Sequence, residues 1–203
     1  MKIIGLTGGI SSGKNFVAEI FAKNGAAVFD ADAEVHKLLE SDKSVIEQIS
    51  IFFPESLINK KIDRKILGKL VFSDDKKLKI LEKILHPRVR ICYEKFLEAA
   101  QLKDVKLVVL NIPLLLENKA YSYDYLIAII PSPEAQKQRF IAREKAKNPQ
   151  ASDAELIAKF DQIKAKQMSS EERKKIADFV IKNEGSEAEE TIAVKKILDV
   201  IFN

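Results

Sequence analysis

Gly8-Gly9-Ile10-Ser11-Ser12-Gly13-Lys14 matches the first seven positions of the eight-residue pattern that binds nucleotide phosphates. The chemistry follows from the residue types. Glycines let the chain wrap so that successive backbone N–H groups point inward, a following helix adds the positive end of its dipole, and a lysine supplies a mobile cation for β- and γ-phosphates. A plain glycine turn between strand and helix needs no lysine at that place. The eighth position departs from the pattern: Asn15 stands where a Ser or Thr hydroxyl would ligate Mg²⁺. A carboxamide oxygen is also a neutral ligand, but it sits farther from the backbone and holds an ion in a different geometry. Asn15 is therefore the candidate metal contact, and magnesium binding is less specified than nucleotide binding.

Such a loop works only between a strand and a helix, and the chain provides both. Short apolar runs at Ile3–Leu6, Ala26–Phe29, Lys106–Leu110, Tyr125–Ile130 and Phe179–Ile181 predict strands. Their apolarity is continuous rather than alternating, which predicts burial on both faces and a parallel α/β sheet. Asn15–Lys23 carries Phe16, Val17, Ile20 and Phe21 at helical spacing. Between Asp32 and Leu102 no strand is expected, and apolar residues at helical spacing predict a helical insertion, with Pro87 starting a new helix. Further on, a helix over Pro133–Glu144 should end at Asn148-Pro149, and Ser152 with Glu155 forms a capping box that opens a helix to about Met168. A last amphipathic helix uses Ile192, Val194, Ile197, Leu198 and Ile201.

Composition bounds the answer. The 203 residues are 46% hydrophobic and 32% charged, enough for one compact domain with a sub-lobe and unlike a disordered chain. The net charge of +4 is too small to argue for nucleic acid. It is unevenly spread: Lys137–Lys175 holds eleven basic and six acidic residues, an excess that suits a polyanionic ligand such as a nucleotide or else forms a solvated helical face. Cys92 is the single cysteine, so an intrachain disulfide and a cysteine zinc site are excluded and a reducing cytoplasm is expected. The apolar stretch near the N-terminus is far too short for a signal-peptide core, and no apolar run approaches the length of a membrane span.

At this point the chain resembles the dephospho-coenzyme A kinase family over nearly its whole length. Five blocks carry the resemblance in order: Ile4-Gly5-Leu6-Thr7-Gly8-Gly9-Ile10, Phe29-Asp30-Ala31-Asp32, Leu85-His86-Pro87, Pro113-Leu114-Leu115-Leu116-Glu117, and Ala177–Gly185. The resemblance implies a P-loop α/β kinase spanning residues 1–203, with a five-stranded parallel core, a helical coenzyme A-binding insertion over about 32–102 and a mobile lid over about 144–175. It implies transfer of the γ-phosphoryl of ATP, with Mg²⁺, to the 3′-hydroxyl of dephospho-coenzyme A. A small-molecule substrate is expected, with neither nucleic acid nor membrane as partner. Departures are Asn15, Ser11 where the family usually has Gly, and Asn111 where members often carry Asp.

Roles follow from the resemblance and from phosphoryl-transfer chemistry, where positioning and charge neutralisation dominate. Gly8, Gly9, Ser11, Ser12, Gly13, Lys14, Asn15 and Phe16 form the expected nucleotide-contacting set, joined by Asn183 and Gly185 at the turn bordering the adenine. A carboxylate at the end of the second strand would accept the hydroxyl proton; spacing does not separate Asp30 from Asp32, and the resemblance favours Asp32. Arg139 and Arg143, one helical turn apart, can face one phosphate pocket, and Lys166 and Gln167 fall in the lid. His86 and Glu117 are the further substrate-binding candidates, with a capping or packing role as the alternative for His86 and a turn cap as the alternative for Glu117. His36, beside Lys37 on a helix, reads as solvated. Rival readings are a P-loop kinase of another nucleoside or metabolite and an ATP-binding protein with impaired catalysis.

Overall fold

A computed structural model describes residues 1–72, 74–113, 115–116, 121–184 and 186–203. In chain order the elements are β1 (Lys2–Thr7), α1 (Lys14–Lys23), β2 (Ala27–Asp30), α2 (Ala31–Ser41), α3 (Lys43–Phe52), β3 (Leu57–Ile58), β4 (Lys61–Ile62), α4 (Arg64–Phe72) and α5 (Asp75–Leu102). They continue with β5 (Leu107–Asn111), β6 (Tyr125–Ile129), α6 (Pro133–Lys147), α7 (Asp153–Ala165), α8 (Ser170–Ile176), β7 (Phe179–Ile181) and α9 (Glu187–Phe202). The chain divides into two compact units: Met1–Phe29 with Asp104–Asn203, and the uninterrupted stretch Asp30–Lys103.

The first unit is built on a sheet in the order β2-β5-β1-β6-β7, with β1 parallel to both β5 and β6, and β6 parallel to β7. β1 lies at its centre because Ile4 and Leu6 are wholly buried, as are Val109 and Ile127 on its neighbours. Val17, Ile20 and Phe21 of α1 and Val194, Ile197 and Ile201 of α9 close the same core. The register sets Leu6 opposite Asn111 and Thr7 opposite Ala128, so the loop after β1 leaves the sheet at the carboxyl ends of its strands, where α/β folds bind ligands.

The second unit is helical. Asp30, Asp42 and Asp74 cap α2, α3 and α5 by accepting from backbone N–H groups, and Asp42 also pairs with Arg88 on α5 at 3.2 Å. Two expectations need correction. The segment does contain strands: β3 and β4 form a small antiparallel hairpin whose turn residues Asn59 and Lys60 take φ of 49° and 63°. With two residues per strand and lysine where a hairpin turn favours glycine, no sequence signal marks it. Pro87 starts no helix either, because it lies inside α5. Leu85 and His86 offer no cap before it, and buried Ile84, Leu85, Val89 and Tyr93 hold the helix on both sides against a proline cost of about 3 kcal/mol.

In the first unit α6 runs to Lys147 and stops at Asn148-Pro149, and both bonds of the Ser152–Glu155 capping box are formed. The helix it opens ends at Ala165, short of Met168. A second capping box, Ser169 with Glu172, starts α8, and a third, Ser186 with Glu189, starts α9. Glu144 ties α6 to α7. It accepts from Lys159 at 2.6 Å and Lys147 at 3.1 Å. Burial pushes its carboxyl up, yet those lysine hydrogen bonds outweigh burial and hold it at about 2 against an ordinary 4.5. A lowered folded-state value means stabilisation that is complete above the unfolded value and fades as pH falls towards 2. With both lysines more than half exposed, solvent screens much of it. Glu144→Gln should cost about 1–2 kcal/mol at neutral pH, and denaturant melts of the two proteins should converge as pH falls through the interval from 4.5 to 2.

Among the described residues no helix is long and apolar enough to cross a membrane.

Candidate active site: a phosphate-binding loop

The loop between β1 and α1 is shaped by two left-handed residues. Gly13 has φ 89° and is the N-cap of α1 without any capping side chain, so the first-turn N–H groups of α1 stay available to an anion. A Cβ on Gly13 would collide with the Asn183 amide, so glycine is required there twice over. Ser11 takes φ 54°, a conformation that costs an L-residue about 1–2 kcal/mol, and it stands at the position where glycine was the expected residue. The turn closes with Ser12 N–H donating to the Gly9 carbonyl at 3.2 Å and Val17 N–H to the Gly13 carbonyl at 3.1 Å.

Side chains from distant sequence positions fix this loop. Asn183, only 2% exposed, donates through Nδ2 to the Ser12 carbonyl at 2.8 Å, and its own carbonyl accepts from Arg139 at 2.9 Å. Gln136 on α6 donates to the Ile10 carbonyl at 2.6 Å, while Gln167 accepts from the Ile10 N–H at 2.8 Å. Buried Arg173 of α8 donates to the Thr7 hydroxyl at the end of β1. Lys14 folds back and donates to the Gly8 carbonyl at 2.9 Å.

Three buried donors stand out at the loop. Ser11 Oγ, Ser12 Oγ and one terminal nitrogen of Arg139 are buried without a hydrogen-bond partner among the described residues. That Arg139 nitrogen lies 3.6 Å from where a Gly13 Cβ would stand, so it faces the loop. Buried polar groups are normally paired, and orphaned ones signal a ligand or stored cost. Two hydroxyls and a guanidinium around a glycine loop match a polyphosphate.

Of the expected residues, Gly8, Gly9, Ser11, Ser12, Gly13, Lys14 and Arg139 come together here. Phe16 packs against the hydrophobic core. Arg143 does not join them: exposed, it lies over the Phe140 ring at 5.5 Å and reaches Glu144 at 3.6 Å. Asn183 lies beneath the loop as its clamp. Lys166 is an exposed C-cap of α7. Glu117 and Gly185 lie outside the described residues. In the second unit, Asp30 accepts from Ala33 N–H at 2.9 Å and so carries the capping role, while Asp32 stands exposed in the first turn of α2. His86 is exposed in mid-α5.

The two departures that bear on metal binding touch each other. Asn111 at the end of β5, 4% exposed, donates through Nδ2 to Asn15 Oδ1 at 3.0 Å. A neutral amide pair thus occupies the place where a hydroxyl and a carboxylate were expected. Among the described residues no three His, Cys, Asp or Glu side chains gather as a metal site. The donor set is suited to phosphate oxygens, and the Asn15 carboxamide oxygen is a neutral oxygen that could face a cation.

Comparison with known proteins agrees with this geometry. The family model described as dephospho-CoA kinase matches residues 2–189. The chain is similar to dephospho-CoA kinases of Bartonella henselae, at 39% identity over 192 residues covering 94% of this chain and 93% of that one, and of Rhodopseudomonas palustris, at 34% over 200 residues covering 98% and 95%. Among solved structures it is similar to the Thermus thermophilus protein TT1252, with TM-score 0.78 and 32% identity over 100% of this chain and 98% of that one. It is also similar to a Campylobacter jejuni dephospho-CoA kinase, with TM-score 0.66 and 29% identity over 99% and 98%. A glycine loop clamped by Asn183, a parallel five-stranded sheet and a match along nearly the whole length lead to one assignment: the chain belongs to the dephospho-CoA kinase family.

Proposed function

We propose that the loop Gly8–Lys14 holds the β- and γ-phosphates of ATP while Asp32 takes the proton of the ribose 3′-hydroxyl of dephospho-CoA. The hydroxyl oxygen forms a bond to the γ-phosphorus as the bond to the β–γ bridging oxygen breaks, giving CoA and ADP, and the proton passes to the Asp32 carboxylate. Little covalent work falls to the protein, so the charge on the transferring group is met by Lys14, by Arg139 and by backbone N–H groups at the start of α1. The observation that carries this reading is the set of three buried donors, Ser11 Oγ, Ser12 Oγ and Arg139, that lack partners around the loop. A coupled assay for ADP with and without dephospho-CoA tests it; ADP release that ignores the acceptor would overturn it.

Mg²⁺, when bound with the nucleotide, neutralises phosphate charge. On this chain Asn15 would face it, with Asn111 orienting the Asn15 carboxamide. Mg²⁺ takes much of its binding from phosphate oxygens and water, so the neutral pair weakens the ion without removing it. Asn15→Ser should lower the magnesium concentration for half-maximal rate in a titration at saturating ATP and acceptor. A midpoint that stays or rises makes the asparagine an adequate ligand.

Residues 144–175 serve as the lid in this reading, and residues 32–102 receive the acceptor. Gln167 and Arg173 give the lid segment two attachments, at Ile10 and Thr7. Adding an ATP analogue with dephospho-CoA should slow hydrogen exchange over Lys145–Lys175, and unchanged protection there would count against a lid.

A further inference from the structure

Ile10 is gripped from both sides by two glutamines that lie far outside the phosphate-loop pattern. Gln136 of α6 meets its carbonyl, and Gln167, in the turn between α7 and α8, meets its N–H. We infer that Gln136 and Gln167 are positioning residues for phosphoryl transfer: together they set the two peptide planes at Ile10 so that the Ser11 N–H is presented to the phosphates of ATP. The inference rests on the reading of Gly8–Lys14 as the holder of those phosphates.

The amide ends are not interchangeable. A backbone carbonyl only accepts and a backbone N–H only donates, so Gln136 must offer its Nε2 and Gln167 its Oε1. Each trans peptide then carries its other polar group to the opposite side. For the bond from Gly9 to Ile10, Gln167 holds the N–H and the Gly9 carbonyl accepts from Ser12 N–H at 3.2 Å, so that plane is fixed at both ends. For the bond from Ile10 to Ser11, Gln136 holds the carbonyl, and the Ser11 N–H is turned away from that buried side chain. The Ser11 N–H makes no hydrogen bond among the described residues. A left-handed residue in such a turn, here Ser11 at φ 54°, gathers neighbouring N–H groups toward one concavity, the arrangement that receives an anion.

Ser11 needs this support, because a non-glycine residue in the left-handed region persists only where its surroundings over-determine it. The surroundings are stiff. Gln136 is 7% exposed and lies one turn before Phe140, whose ring packs against Phe160 of α7 at 5.5 Å, and Glu144 accepts from Lys159 across the same two helices. α6 and α7 thus form a frame that carries one glutamine on α6 and the other just past the end of α7. Gly9 admits both amides: a Cβ there would stand 2.8 Å from Gln136 Nε2 and 3.4 Å from Gln167 Oε1. Because Gln167 lies within the proposed lid, the seating of that segment and the readiness of the loop for phosphate are one event.

Calorimetric binding of a non-hydrolysable ATP analogue is the test. Gln136→Glu sets an acceptor against the Ile10 carbonyl, and the Kd for the analogue should rise by about tenfold or more. Gln167→Glu adds the same charge beside the same residue but keeps an acceptor for the Ile10 N–H, so its Kd should stay at least about threefold below that of Gln136→Glu. The difference reports hydrogen-bond polarity rather than charge. Gln136→Met removes the donor without adding charge; it should also weaken the analogue by about tenfold, and it carries the test if the Gln136→Glu chain fails to fold. Dephospho-CoA should bind all three variants within about twofold of wild type. Wild-type affinity for the analogue in the Gln136 variants overturns the inference, as do equal losses in the two glutamate variants or a parallel loss for dephospho-CoA. The loop's own role is read separately from Lys14→Ala. If that variant turns over at the wild-type rate, the reading of the loop falls and this inference with it; if it is crippled while Gln136→Met binds the analogue normally, this inference falls alone.

Discussion

Lys14→Ala is expected to lower kcat by roughly 10²–10³-fold, the usual loss when one group that meets transition-state charge is removed. The ammonium is half-buried and spans the loop to the Gly8 carbonyl, so it sits across the mouth in which the phosphates would lie. Alanine at this position retains a helix-forming residue, and the clamps from Asn183, Gln136 and Gln167 do not depend on the lysine. Thermal unfolding should therefore change little while steady-state turnover collapses. Wild-type turnover in the variant would sink the loop's assigned role.

Asp32→Asn should lower kcat by roughly 10²–10⁴-fold, the range for losing a positioned general base, while ATP binding is retained. Asp30→Asn is the matched control. Asparagine caps a helix about as well as aspartate, so the bond to Ala33 N–H survives and both stability and turnover should stay near wild type. The pair of variants measured side by side gives a sharp outcome: if Asp30→Asn is the crippled enzyme and Asp32→Asn is not, the base is the capping residue.

The sheet and the loop were legible because their signals are local. Five short apolar runs marked the five strands, although burial on both faces does not extend to the edge strand β7, where Val180 is 41% exposed, and the order glycine loop, lysine, amphipathic helix reports a phosphate site from adjacent residues. What escaped was carried by distant pairs or by tertiary override. Gln136 shares the buried side of α6 with Phe140, which marks it only once Phe140 is known to be interior. Arg173 opens a run of three cations that reads as solvated, yet it is 3% exposed and bonded to Thr7. Arg143 follows Arg139 by one turn, but it stays exposed, over the Phe140 ring and beside Glu144. Spacing places two side chains on one face of a helix and says nothing of what lies beyond it. The Asn15–Asn111 contact is of the same kind: each departure was visible alone, and their pairing across 96 positions was not.

The division of the chain also sets an order of assembly during synthesis. Asp30–Lys103 is contiguous, so this unit can acquire its own contacts while the rest is still being translated. Strand β1 emerges first but has no sheet neighbour until β5 and β6 follow, more than a hundred residues later. Residues 1–29 must therefore wait as an apolar tether, closing a long loop in which the helical unit already folds. The loop's last clamp, Asn183, arrives later still. Nucleotide added to ribosome-bound chains should be ignored until Asn183 has left the exit tunnel, so the capacity to bind ATP marks a nearly finished protein.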